Sequence, residues 1–123
     1  MKIYVNNVID GIVHGETCFG NIHVRWIGEK PGIGKIYHIE LDIADHLEWH
    51  IDITLSCNNN SSITYDEKSI SLFGVIESVE DDGFTILRLG QSMVPLITRG
   101  IAFEIGSHVR VCVASVSAYE IDI

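Results

Sequence analysis

Acidic side chains carry the strongest chemical pattern in this chain. Glu40, Asp42, Asp45, Glu48 and Asp52 fall within thirteen residues that contain no Lys or Arg. A second group, Glu77, Glu80, Asp81 and Asp82, follows further on. Carboxylates gathered in this way can hold a hard cation, move protons beside a nucleophile, or meet the cationic groups of a partner. The chain holds 17 acidic against 8 basic residues, a formal net charge of −9. A field of that sign repels nucleic acid and anionic membranes and attracts basic partners.

The other chemical candidates fail on spacing. Gly28-Glu-Lys-Pro-Gly-Ile-Gly34-Lys35 comes near a phosphate-binding loop. The motif, however, needs one residue fewer between its outer glycines, a hydroxyl after the Lys and a helix beyond it. Ile36 stands where the hydroxyl belongs. Asp45-His46-Leu-Glu48-Trp-His50 has the paired histidines of a helical zinc motif, but its Glu is one place late and no third ligand is marked. His38, Glu40 and Asp42 share one face if the segment is extended, as they would on any solvated strand. Gly90-Gln-Ser92-Met-Val94 has Val where a nucleophile elbow needs its last Gly. No histidine has a marked Cys or Ser partner. The expectation is therefore a protein that is not an enzyme, with no cofactor and no metal.

Composition narrows the setting. The chain has 123 residues, 46% of them hydrophobic and 20% charged, which suits one globular domain over 1–123. Cys18, Cys57 and Cys112 are odd in number, far apart and outside any metal spacing. The start, Met1-Lys-Ile-Tyr-Val-Asn-Asn, has no apolar core of a signal peptide. Together these predict a cytoplasmic protein. Lys and Arg stand singly at 25, 30, 35, 68, 88, 99 and 110, so nucleic-acid binding would need folding to gather Arg88, Arg99 and Arg110.

The elements that must position the acids read as strands. Lys2–Val13 is a first strand, with a bulge at Asn6-Asn7 and a kink or turn at Asp10-Gly11. Cys18–Ile27 is a second, and Gly28–Gly34 is a loop. Tyr37–Ile43 and Trp49–Leu55 alternate strictly, with Ala44–Glu48 between them as a hairpin connection. Ile43, Leu47 and Ile51 fall at helical spacing, but two period-two runs outweigh three such matches. Ile63–Tyr65 starts another strand. Ile70–Glu77, Phe84–Leu89, Ser92–Ile97 and His108–Val116 follow, separated by Glu80–Gly83, Leu89–Gln91 and Glu104–Ser107. The expected class is all-β: a small antiparallel barrel or sandwich of about eight or nine strands.

From Ile70 onward the order resembles the closing half of small OB-like barrels, including the molybdate-site (TOBE) type. The matching residues are Gly74-Val75, Asp82-Gly83, Leu89-Gly90 and Gly106-Ser-His-Val109-Arg-Val111. In size, acidity and lack of a catalytic motif the chain is similar to the immunity proteins of bacterial toxin systems, including contact-dependent growth inhibition. That resemblance implies an inhibitor whose carboxylates cover the basic active site of a partner, such as a toxin nuclease. The expected contact surface is the hairpin: Glu40, Asp42 and Asp52 outward, Asp45 and Glu48 at the tip, with His38, His50 and Trp49 beside them. Glu77, Glu80, Asp81 and Asp82 form a secondary cluster. The alternative is a barrel binding a small ligand or anion through the backbone amides of Gly90-Gln91-Ser92 or Gly106-Ser107.

Overall fold

The alternation becomes twelve strands in a computed structural model that describes residues 1–122. They are β1 (Lys2–Ile9), β2 (Ile12–Thr17), β3 (Gly20–Ile27), β4 (Ile36–Asp42), β5 (His46–Glu48), β6 (Ile53–Leu55), β7 (Ser62–Tyr65), β8 (Ile70–Val79), β9 (Phe84–Leu89), β10 (Ser92–Arg99), β11 (His108–Val113) and β12 (Ser117–Glu120). The class is all-β, as expected, with more and shorter strands. Among the described residues no helix is long and apolar enough to cross a membrane.

Five strands, in the order β1-β2-β3-β12-β4, close into a barrel when β4 returns to β1. Asp10-Gly11 (φ 51° and 78°) makes the tight two-residue turn between β1 and β2. The register slips between Val5 and Asn7, where the paired asparagines point to a bulge. β12 runs parallel to β3 and antiparallel to β4. Its Ser-Ala-Tyr-Glu sequence turns only Ala118 fully inward, so alternation alone does not mark it as a strand.

The segment between β4 and β12 builds a seven-stranded sheet, ordered β5-β10-β9-β8-β11-β6 with β7 on β8. β8 is long enough to take β7 near its start and β9 near its end along the same edge. The sheet's two outer strands, β5 and β6, are consecutive pieces of one segment, and a bridge from Trp49 to Ile53 draws them together. One continuous core joins the barrel and the sheet. It includes Ile3, Val24, Ile39 and Leu41 on the barrel side and Leu72, Leu87, Leu96 and Val111 on the sheet side.

The segment from Ile70 onward, which resembles the closing half of an OB-like barrel, supplies β8 to β11 of the larger sheet and then β12 of the five-stranded ring. One expectation is corrected. The hairpin of Tyr37–Ile43 with Trp49–Leu55 does not form, because β4 is held in the barrel between β1 and β12. The chain turns at 50–52, where the Asp52 carboxylate accepts the Glu48 N–H at 2.8 Å and the Asp52 N–H donates to the Glu48 carbonyl. A short Asp side chain competing for backbone in this way breaks an extended run. Trp49 and Ile53 stay buried, whereas Ile51 is 70% exposed at the turn.

Candidate functional site

The two acidic groups meet the solvent in two different places. On β4, Ile39 and Leu41 are buried and Glu40 and Asp42 are exposed, as alternation requires. His38 is half-buried beside them, opposite Lys2 on β1. Glu40 accepts a 2.7 Å hydrogen bond from the Tyr119 hydroxyl, which its negative charge holds in the protonated form, raising the phenol above its ordinary range. Asp45 is exposed in the connection to β5. Asp52 is spent on the turn described above, so it belongs to the scaffold and not to an open acidic face.

The remaining members converge. Glu80, Asp81 and Asp82 line a cleft of about 260 Å³ together with Trp49, Val79, Gly83, Thr98, Arg99 and Gly100. Arg99 reaches Glu48 at 2.6 Å, because β10 and β5 place them side by side in register. Glu80, Asp81 and Asp82 make no ion pair among the described residues, so four carboxylates face one guanidinium here. Glu77 is turned away, paired with Arg88 at 3.0 Å.

The acidic tip is held rigidly. The Gly83 carbonyl accepts the Thr98 N–H at 2.9 Å, the Thr98 hydroxyl at 2.9 Å and the Thr85 hydroxyl at 3.1 Å. Gly83 lies at φ 92°, and a Cβ there would run into the Thr98 carbonyl. Asp82 turns one oxygen back to the Phe84 N–H at 3.0 Å. Both threonines are buried, at inward positions otherwise filled by Leu and Val. A polar residue in an apolar register is the one sequence signal for this clasp.

Apolar groups flank the cleft. Phe84 and Ile97 face each other across β9 and β10, 40% and 42% exposed, and Ile97 has His46 on its other side. His50 sits at φ 72°, its Nε2 2.9 Å from the Ile101 carbonyl and its ring edge-on to Phe103 at 4.4 Å. Phe103 also packs edge-on against Trp49 at 5.7 Å. Ile101 is left 82% exposed. Sequence reading finds Glu48, Trp49 and His50 but does not join them to Arg99, Ile101 and Phe103, which the β5–β10 pairing and the contacts of His50 and Trp49 bring beside them.

Three of the amides considered for an anion are in use. Gly90 N–H donates to the Ser61 hydroxyl at 2.8 Å, Gly106 to the Ile76 carbonyl at 2.8 Å and Ser107 to the Glu104 carbonyl at 3.1 Å. Nor do the arginines gather: Arg88 pairs with Glu77, Arg99 with Glu48, and Arg110 donates to the Ser71 hydroxyl at 3.0 Å. Compared with protein-family models, with curated proteins and with solved structures, the chain matches none.

Proposed function

We propose that this protein is an acidic inhibitor that binds a basic partner through the Trp49–Asp82 cleft, in the manner of an immunity protein covering a toxin nuclease. The observation that carries the reading is the convergence of unpaired Glu80, Asp81 and Asp82 with the exposed Phe84–Ile97 pair on one surface, over a floor formed by the buried Trp49. Aromatic anchors ringed by charges are what a tight, electrostatically steered interface uses. The contact surface is accordingly moved from the β4 face to the β8–β9 turn beside the end of β10, where three carboxylates without an ion pair converge.

The test begins with a pull-down from the native host and continues with affinity measurements on the captured partner over a range of salt. Glu80→Gln, Asp81→Asn and Asp82→Asn together change net charge from −9 to −6 while keeping the Asx contact to Phe84. Glu40→Gln, Asp42→Asn and Asp45→Asn change it equally. A central, desolvated charge lost from an interface costs about 2–5 kcal/mol, so the first variant should weaken binding by orders of magnitude. The second should alter association mainly through salt-sensitive rates. Equal losses would reduce the effect to overall field, and no loss in either would end the inhibitor reading.

A further inference from the structure

A second concave surface lies on the barrel, away from the acidic cleft. Val8, Asp10, Gly11, Trp26, Gly28, Lys30 and Pro31 line a cavity of about 310 Å³, the size range in which small-ligand sites begin. The β1–β2 turn, the end of β3 and the loop before β4 meet there. Trp26 is fixed at three points. Its N–H donates to the Gly11 carbonyl at 3.0 Å, its Nε1 donates to the Glu29 carbonyl at 2.9 Å, and its ring stands edge-on to Tyr37 at 5.3 Å. Tyr37 is itself held, its hydroxyl accepting the Gly32 N–H at 2.7 Å. A half-buried indole tied down in this way is preorganised for stacking, because little rotamer entropy remains to be lost.

The charges around the indole are of both signs. Asp10 and Lys30 both line the cavity, both are exposed, and neither forms an ion pair among the described residues. Val8 and Pro31 supply apolar wall, and a Cβ added at Gly11 or Gly28 would meet nothing within 4 Å, so the approach is open. A cation alone would meet Lys30, and an anion alone would meet Asp10. We propose that this cavity binds a small aromatic zwitterion: its ring lies on Trp26, its ammonium faces Asp10 and its carboxylate faces Lys30. The site is independent of the inhibitor reading and shares none of its residues.

The experiment is fluorine NMR on protein labelled with fluorotryptophan. The chain has two tryptophans, so two resonances are expected, assigned through Trp26→Phe. Three probes are titrated: phenylalanine, hydrocinnamate (no ammonium) and phenethylamine (no carboxylate). Phenylalanine should shift the Trp26 resonance saturably and leave Trp49 unmoved, with each single-charge probe about fivefold weaker, as one exposed ion pair allows. Asp10→Asn, which keeps a residue suited to the left-handed turn, should weaken phenylalanine and phenethylamine but not hydrocinnamate. Lys30→Met should do the converse. Equal affinity for all three probes would reduce the cavity to an apolar crevice and overturn the assignment, and so would the absence of a saturable shift at Trp26.

Discussion

At the scale of single residues, two glycines and one histidine set testable limits. Gly83 and Gly106 share nearly the same backbone, φ 92° and 90°, but a Cβ at Gly83 meets the Thr98 carbonyl whereas at Gly106 it meets nothing. Gly106→Ala should therefore cost about 1–3 kcal/mol from conformation alone, and Gly83→Ala clearly more. Urea unfolding reads both, and equal midpoints would show that the tip is not clamped. His23 lies between His14, 5.9 Å away across the β2–β3 pair, and Tyr65 of β7, edge-on at 4.6 Å. Burial, and secondarily the charge of His14, lower its pKa below the ordinary 6.5. The unfolded chain then takes up the proton first, so the stability tied to neutral His23 is full above pH 6.5 and is lost as pH falls below it. His23→Gln should flatten that part of the stability–pH curve. An unchanged slope would place the acid sensitivity elsewhere.

At the scale of elements, the broken segment from His46 to Leu55 is the decisive one. An unbroken strand would make Ile51 and Ile53 equivalent inward residues. The turn at 50–52 leaves Ile51 70% exposed and Ile53 fully buried. Ile51→Ser should change stability by no more than about 0.5 kcal/mol, while Ile53→Ala should cost about 2–5 kcal/mol. Chemical denaturation of the two variants distinguishes the broken segment from a continuous strand. The same break is what brings Trp49 and Glu48 to β10, and so to the acidic tip, since Trp49 N–H bonds to the Arg99 carbonyl and Glu48 pairs with Arg99.

For the whole molecule, the ring depends on its last strand. β12 is hydrogen-bonded on both sides, to β3 and to β4, and carries fully buried Ala118 between them. Removing the chain from Ser117 onward should leave two unpaired edges on a ring of four and expose its core. Self-association on size-exclusion chromatography and loss of a cooperative transition are the expected results. Tyr119→Phe is the comparison, because it deletes only the hydrogen bond to Glu40 and should leave the ring closed. A soluble, monomeric truncation would mean that the larger sheet holds the fold by itself.

Local physics accounts for what the sequence by itself determined. Period-two runs of β-branched residues, cut by Gly and Asp, marked the segments that became β1, β3, β4 and β7 to β11, because burying one face of a strand is a local demand on every second residue. The acidic character and the composition of both clusters were equally legible. Pairing was not. Trp49–Leu55 alternates as well as any strand in the chain, yet Asp52 folds it back onto Glu48, and β12 is a strand only because β3 and β4 leave a gap of its width. Which carboxylates stand free was likewise decided by partners distant in sequence: Tyr119 for Glu40, Arg88 for Glu77, Arg99 for Glu48. Hydrogen-bond and ion-pair partners brought together across tens of residues leave no periodic trace, so only the tertiary structure could place the acidic cleft between the β8–β9 turn and the end of β10.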